Sequence, residues 1–269
     1  MANRLIRVYL FGFLLMLCLL VHAGESARGT VPGLSIEKRE QGGISYIVAH
    51  VQMDKAPLRL HWKNDAGIPY RNFTALRGAL DEKGDRLVFA TNAGIYARDY
   101  TPLGLHVQDG HELAPLNLKN GGGNFFLKPN GVFYTAGGHA GVLSTDDYAA
   151  AGLRPDVAVQ SGPMLLRHGA VHPSFSPGSD SRHRRNGVGV VSDTEAVFVL
   201  SEQEVNLYDF ALFFRDELGC TDAIYLDGAI SGMYAPAVHR DDPGMEYVGM
   251  FGISDPKCAD NTNTDKGGH

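Results

Sequence analysis

Short apolar runs, rich in β-branched and aromatic residues and each cut off by glycine or small polar residues, recur along the chain and constrain its fold most. Leu87-Val88-Phe89-Ala90 leads into Thr91-Asn92-Ala93-Gly94. Asp156 to Gln160 ends at Ser161-Gly162-Pro163. Cys220 to Leu226 ends at Asp227-Gly228-Ala229-Ile230-Ser231. Runs this short and of this make-up predict strands. Ile44 to Val51 and Arg59 to Trp62 read the same way, as do Val188 to Val191 and Ala196 to Leu200 about a turn at Ser192-Asp193. Phe125-Phe126-Leu127 and Val132-Phe133-Tyr134 flank Lys128-Pro129-Asn130-Gly131, which predicts a hairpin, because Pro pre-sets the first turn dihedral and Asn and Gly accept left-handed values.

Two segments instead follow helical spacing. Leu207, Phe210, Ala211, Phe214 and Leu218 form one apolar stripe, with Asn206 as N-cap, Asp209 in the first turn and Gly219 as C-cap, so a helix is expected over 207–218. Phe73, Leu76 and Leu80 predict a shorter one over 73–80. Strands outnumber helices, and no repeat or long linker interrupts them. The expectation is an α+β fold: a single domain with a mixed β-sheet and a few packed helices.

The ends of the chain differ in kind. Arg4 and Arg7 precede an apolar run from Val8 to Val21, and Val21-His22-Ala23 resembles a small-residue cleavage site, so residues 1–23 read as a signal peptide. That run is shorter than the ~20 residues a spanning helix needs. A cleaved leader implies a periplasmic or secreted protein with no stable membrane span, and an uncleaved N-terminal anchor is the alternative. Residues 24–43 read as an exposed lead-in, 44–259 as the folded domain and 260–269 as a disordered tail. In an oxidising compartment Cys220 and Cys258 either pair or stand as free thiols. The formal charge of −6 argues against a general nucleic-acid binder.

Loops at strand ends are where rigid scaffolds present binding groups, and glycines there let a ligand approach backbone N–H donors. Asn92, Gly94, Ser161, Gly162, Gly228 and Ser231 are therefore candidate substrate-binding residues. Within the basic cluster Arg182-His183-Arg184-Arg185, Arg185 directly precedes a predicted strand and its fork suits phosphate oxygens, whereas Arg182 and Arg184 read as solvated. Asp227 follows an apolar run, which suits it to acid/base work. Glycoside hydrolysis ordinarily employs two carboxylates. Asp99, Asp109, Asp180 and Glu202 are candidates for the second, though each alone reads as a surface charge. The histidines form no metal-binding motif, so neither a metal nor a cofactor is expected. Pro173 to Arg185, with its Ser and Gly residues, reads as a flap.

These motifs together resemble the phosphodiester glycosidase domain, the bacterial relatives of the lysosomal enzyme that uncovers mannose 6-phosphate by removing N-acetylglucosamine. The likeness runs from about Val88 to Ile253. It rests on Asn92-Ala93-Gly94-Ile95-Tyr96, Leu103-Gly104, Ser161-Gly162-Pro163-Met164-Leu165, Arg185-Asn186-Gly187-Val188-Gly189, Asn206-Leu207 and Leu226-Asp227-Gly228-Ala229-Ile230-Ser231. Ala93, Ala229 and Ile230 stand where the family has glycines, and an Ile230 directed into the cleft would narrow it. Gly121 to Tyr134 resembles a subgroup long known only as a domain of unknown function. The resemblance implies an exported hydrolase acting on a sugar-1-phosphodiester, with Arg185 binding phosphate and Asp227 as acid/base. The alternatives are a non-catalytic periplasmic protein that binds an envelope glycan or glycan phosphate, and a structural partner in cell-wall assembly. In the last case Asn92, Arg185 and Asp227 would lie apart.

Overall fold

Alternation of side chains along each strand sends successive residues to opposite faces, and the central strands here are apolar on both. In the strand Ile44–Gln52, Ile47, Ala49 and Val51 join one buried cluster while Tyr46 and Val48 join another. The strand Glu195–Ser201 divides the same way, Ala196, Phe198 and Leu200 against Val197 and Val199. Such strands need a layer on each side, and the computed structural model, which describes residues 31–256, supplies both.

These strands belong to a seven-stranded sheet in the order Leu34–Gln41, Ile44–Gln52, Glu195–Ser201, Asn186–Ser192, Asp222–Tyr225, Met164–Arg167, Ala170–Val171. One face packs on two five-stranded sheets. The second sheet runs Arg240–Asp241, Met233–Ala235, Asp85–Asn92, Met250–Pro256, Arg59–His61, and the third His111–Ala114, His106–Gln108, Val157–Ser161, Gly131–Ala136, His139–Ser144. All three meet in an aromatic cluster. Phe198 of the first sheet lies 5.7 Å from Phe89 and 5.1 Å from Phe251 of the second, and 5.6 Å from Phe133 of the third. The other face of the large sheet is covered by the helix Leu207–Leu212 and the wider π turn Phe213–Glu217. The helix Phe73–Glu82, capped by Asn72 whose side chain accepts from Ala75 N, packs Phe73, Leu76 and Leu80 beside Leu87, Ala90 and Met250 of the second sheet.

The α+β class is as expected, with several differences of detail. The mixed sheet resolves into three, and every ladder among the described residues is antiparallel, both in the hairpins, whose short turns allow no other pairing, and between strands distant in sequence. Within the supposed lead-in, Leu34–Gln41 is a half-exposed strand that pairs with Ile44–Gln52 through Gly42 (φ 59°) and Gly43 (φ 76°). A two-residue turn with both φ positive matches the twist of a hairpin. Phe125 is not in a strand: Asn124–Phe126 is a turn of 3-10 helix, and the Asn130 side chain donates to the Phe125 carbonyl at 2.8 Å. Gly131–Ala136 pairs instead with His139–Ser144. The helix expected over 207–218 widens at Phe213, which lets Phe213 and Phe214 both turn inward, Phe213 stacking on Tyr46 at 3.8 Å. No helix of the described residues is long and apolar enough to cross a membrane. The leader, Cys258 and the tail lie outside them; Cys220 is buried, and burial pushes its thiol up to about 12.

Removing the ring at the junction of the sheets leaves a cavity no single sheet can close. Phe198→Ala is expected to cost about 3–5 kcal/mol, read as a drop in urea midpoint at unchanged m-value. Buried His106, 3% exposed and edge-on to Trp62, is held down to about 4 by desolvation. The unfolded chain therefore binds a proton there near pH 6.5 that the native protein refuses until about pH 4. Stability contributed by the neutral ring is present above pH 6.5 and is lost as pH falls through that window, by up to ~3 kcal/mol. His106→Gln should flatten the decline in denaturation profiles between pH 7 and 4.

Candidate functional site

A buried Asn must place both ends of its amide, and Asn92, closing the strand Asp85–Asn92 at 1% exposure, does so between three chain segments. Its Oδ1 accepts from Asn186 Nδ2 at 2.8 Å and from Gly232 N at 2.9 Å, and its Nδ2 donates to the Asp227 carbonyl at 2.9 Å. Asn186 Nδ2 also reaches the Asn92 carbonyl at 3.0 Å. Asp227 N donates to the Ala93 carbonyl at 3.2 Å, and the Ser231 hydroxyl lies 3.2 Å from the Arg184 carbonyl and 3.4 Å from Asn186 Oδ1. The strand ends at Asn92 and Asn186 and the loop 227–232 are thus knotted together by side-chain amides.

The third strand end joins this knot by packing. Gly94 lies against the Gln160 carbonyl and Ser161, and Tyr225 N donates to the Pro163 carbonyl at 3.0 Å. Ser161 is fully buried, and its hydroxyl has no hydrogen-bond partner among the described residues. Gly162 is wedged against Asn130 and Phe125. Ser161 and Gly162 thus lie beneath the site, whereas Asp227 keeps 9% exposure and Tyr96 is half-buried.

Arg185 is 1% exposed, an extreme position for a cation. Its Nε donates to the Val205 carbonyl at 2.7 Å, its Nη2 to the Ser181 carbonyl at 2.8 Å and its Nη1 to the Tyr225 hydroxyl at 2.9 Å. Tyr225 carries the connection onward: a Cβ on Gly228 would land on that hydroxyl, so only glycine allows the loop to close over it. Burial raises the Tyr225 pKa, with the Asp227 charge adding to the rise and Arg185 opposing it. Asp227 likewise acts on Tyr96, whose phenol is pushed up to about 12, first by burial, then by Asp227, Tyr100 and Glu246. The Asp227 charge thus acts on both Tyr225, which Arg185 holds, and Tyr96.

Sequence reasoning misses Tyr225, since its contact with Arg185 spans 40 residues and is fixed only by the sheet. Asn186 carried only its neighbour's signal. Each of the four acids that could serve as a second carboxylate has its own partner or faces solvent. Asp99 bonds Thr101, Asp109 faces Arg59, Glu202 pairs with Lys38 and Arg240, and Asp180 is exposed. Glu246 comes nearer: its carbonyl accepts from Tyr96 at 2.8 Å, and its carboxylate is held by Arg71 at 3.2 Å and by Tyr100. Arg182 donates to the Glu204 carbonyl, and Arg184 lies 3.6 Å from Asp242. No group of three or more His, Cys, Asp or Glu among the described residues is placed to hold a metal ion.

Comparison with known proteins gives this arrangement its context. A family model described as phosphodiester glycosidase matches residues 85–259. The Escherichia coli (strain K12) protein YigE, itself uncharacterised, is 40% identical over 177 residues, 66% of this chain and 69% of the relative. Among solved structures, the zebrafish N-acetylglucosamine-1-phosphodiester alpha-N-acetylglucosaminidase catalytic domain, auto-inhibited by its pro-peptide, superposes at TM-score 0.56 with 15% identity over 86% of each chain. A hypothetical protein from Synechocystis follows at 0.52, with 14% identity over 82% of this chain and 62% of its own. At these identities the likeness to solved structures is one of fold.

Replacing Asn92 by Ala would strand the Gly232 N–H and the Asp227 carbonyl in a buried setting. Asn92→Ala is expected to cost about 2–6 kcal/mol, the sum of two unmade buried hydrogen bonds. The loss should appear in chemical denaturation and as faster amide exchange in residues 227–232 than in the strands.

Proposed function

The chain belongs to the phosphodiester glycosidase family, and on that premise we propose that it is an exported hydrolase that cleaves the bond between a sugar's anomeric carbon and a phosphodiester oxygen. The observation that carries this reading is the linkage of Arg185 to the loop of Asp227 through Tyr225 and Gly228, which sets a buried cation behind the loop that carries the carboxylate.

Asp227 takes a proton from water as the water attacks the anomeric carbon. The bond from that carbon to the phosphoryl oxygen breaks, and its electron pair leaves with the phosphomonoester. The departing oxygen is a weak base, so strong proton donation is dispensable, and the cationic end of the Arg185–Tyr225 pair stabilises the charge that grows there. The Asn92 knot fixes the backbone that carries Asp227, and Ser231 and Gly228 complete the wall around the sugar. Of the residues that replace family glycines, Ala93 is buried in the core and Ile230 packs toward the cluster of Phe73 and Leu76.

The test is release of free sugar from N-acetylglucosamine-1-phosphodiester compounds. Wild type should release it, and Asp227→Asn should lower kcat by roughly 10²–10⁴-fold with substrate binding kept. Saturable binding without free sugar from wild type would establish the binding protein instead.

A further inference from the structure

The third sheet is apolar on both faces. Phe133, Val157 and Val159 join the core around Phe198, while Val132 and Ala158, which alternate with them, join Leu105 and Val107 in a separate buried cluster. A sheet face of this kind needs a covering layer. The cover is the short helix Thr145–Ala151, which brings Tyr148, and the chain at Leu116. It is incomplete. A cavity of about 560 Å³ remains, lined by Leu105, Val107 and Leu116 and by Tyr148. That volume falls in the range of small-molecule sites, about 300–1,000 Å³. The Asn92 and Asp227 loops contribute nothing to its lining.

Three charged residues also line the cavity: Glu112, Arg154 and Asp156. Asp156 is committed to the backbone, its Oδ2 accepting from Gly137 N at 2.8 Å. Glu112 and Arg154 have neither an ion pair nor a side-chain hydrogen bond among the described residues. For an arginine of this chain that is unusual. Of the other described arginines, all but Arg98 are held by a carboxylate or a carbonyl. The Glu112 charge acts on the Tyr148 phenol, whose pKa is raised first by burial and then by Glu112 and Tyr134. Opposite charges thus line one apolar hollow without neutralising each other. We infer that this cavity binds a small zwitterion with an apolar body, of the class of an apolar amino acid or dipeptide. The body packs on Leu105, Val107 and Leu116, the ammonium meets Glu112 and the carboxylate meets the Arg154 fork, which suits it. A plain amine would leave Arg154 unanswered, and a plain carboxylate would face Glu112 and Asp156. The inference is independent of the proposed hydrolysis, since no residue of that site takes part.

Titration calorimetry of the full chain with L-leucine, and separately with leucylleucine, tests this, and the tighter of the two identifies the source. Saturable binding of at least one is expected. Isoamylamine, which lacks the carboxylate, and isovalerate, which lacks the ammonium, should each bind at least about 10-fold more weakly. Arg154 and Glu112 are exposed, so their replacement leaves the fold intact. Arg154→Ala and Glu112→Gln should each weaken binding of the zwitterion about 3- to 10-fold. Failure of both zwitterions to bind, wild-type affinity in either variant, or an amine or acid that binds as tightly as the zwitterion overturns the inference.

Discussion

The amide of Asn92 reaches three partners that no ladder hydrogen bond connects: the Asn186 side chain, Gly232 N and the Asp227 carbonyl. The loop 227–232 leaves the large sheet after Tyr225 and must cross to the second sheet, where Met233 pairs with Thr91. Such a crossing exposes backbone groups that a sheet would otherwise satisfy. The Asn92 and Asn186 side chains take over that task, so the carboxylate of Asp227 is carried on a backbone whose own polar groups are already bound. Everything proposed of the site follows from that division of labour. Packing of three sheets brings the strand ends together, and the buried amides of Asn92 and Asn186 hold them.

Arg185 is fixed in the same spirit. Its position beside Asn186 puts it at the first pair of the ladder, Asn186 opposite Leu200, and Ser201 closes over it with hydrogen bonds to and from its backbone at 2.9 and 2.8 Å. The side chain then crosses the face of the sheet to Tyr225, whose ring it overlies at 5.2 Å. Burying a guanidinium this way is favourable only when its donors are engaged and its charge is answered. The structure satisfies the first condition with carbonyls and a phenol. On the second, the Asp227 charge acts on the same Tyr225 that Arg185 holds.

Much of this was legible in the sequence because it is local. The three runs that end in Asn92, Ser161 and Asp227 are strands ending where the composition changes, and their convergence follows from one shared core around Phe198. The same local reasoning failed where two structures share a signal. Pro129-Asn130-Gly131 looks like a hairpin turn, yet Asn130 spends its side chain on Phe125 and Thr145, and the turn that pairs strands is Gly137-Gly138. The polar lead-in hid a strand because an edge strand with one exposed face carries no long apolar run. Most hidden were partners fixed only by tertiary contact: Val205 and Tyr225 lie 20 and 40 residues from Arg185, and no periodicity links them.

The replacement of family glycines shows how far composition alone can mislead about a site. Read along the sequence, Ile230 seems to intrude on a glycine-rich loop. In the fold, Gly228 to Ile230 form a turn of 3-10 helix, and Ile230 packs toward the helix that carries Phe73. The glycine that cannot change is Gly228, because the Tyr225 hydroxyl occupies the place of its side chain. A loop of this kind tolerates bulk on the side that faces the core and none on the side that faces the phenol. The constraint that matters is therefore the pairing of Tyr225 with Gly228, which keeps the phenol held by Arg185 against the loop that carries Asp227.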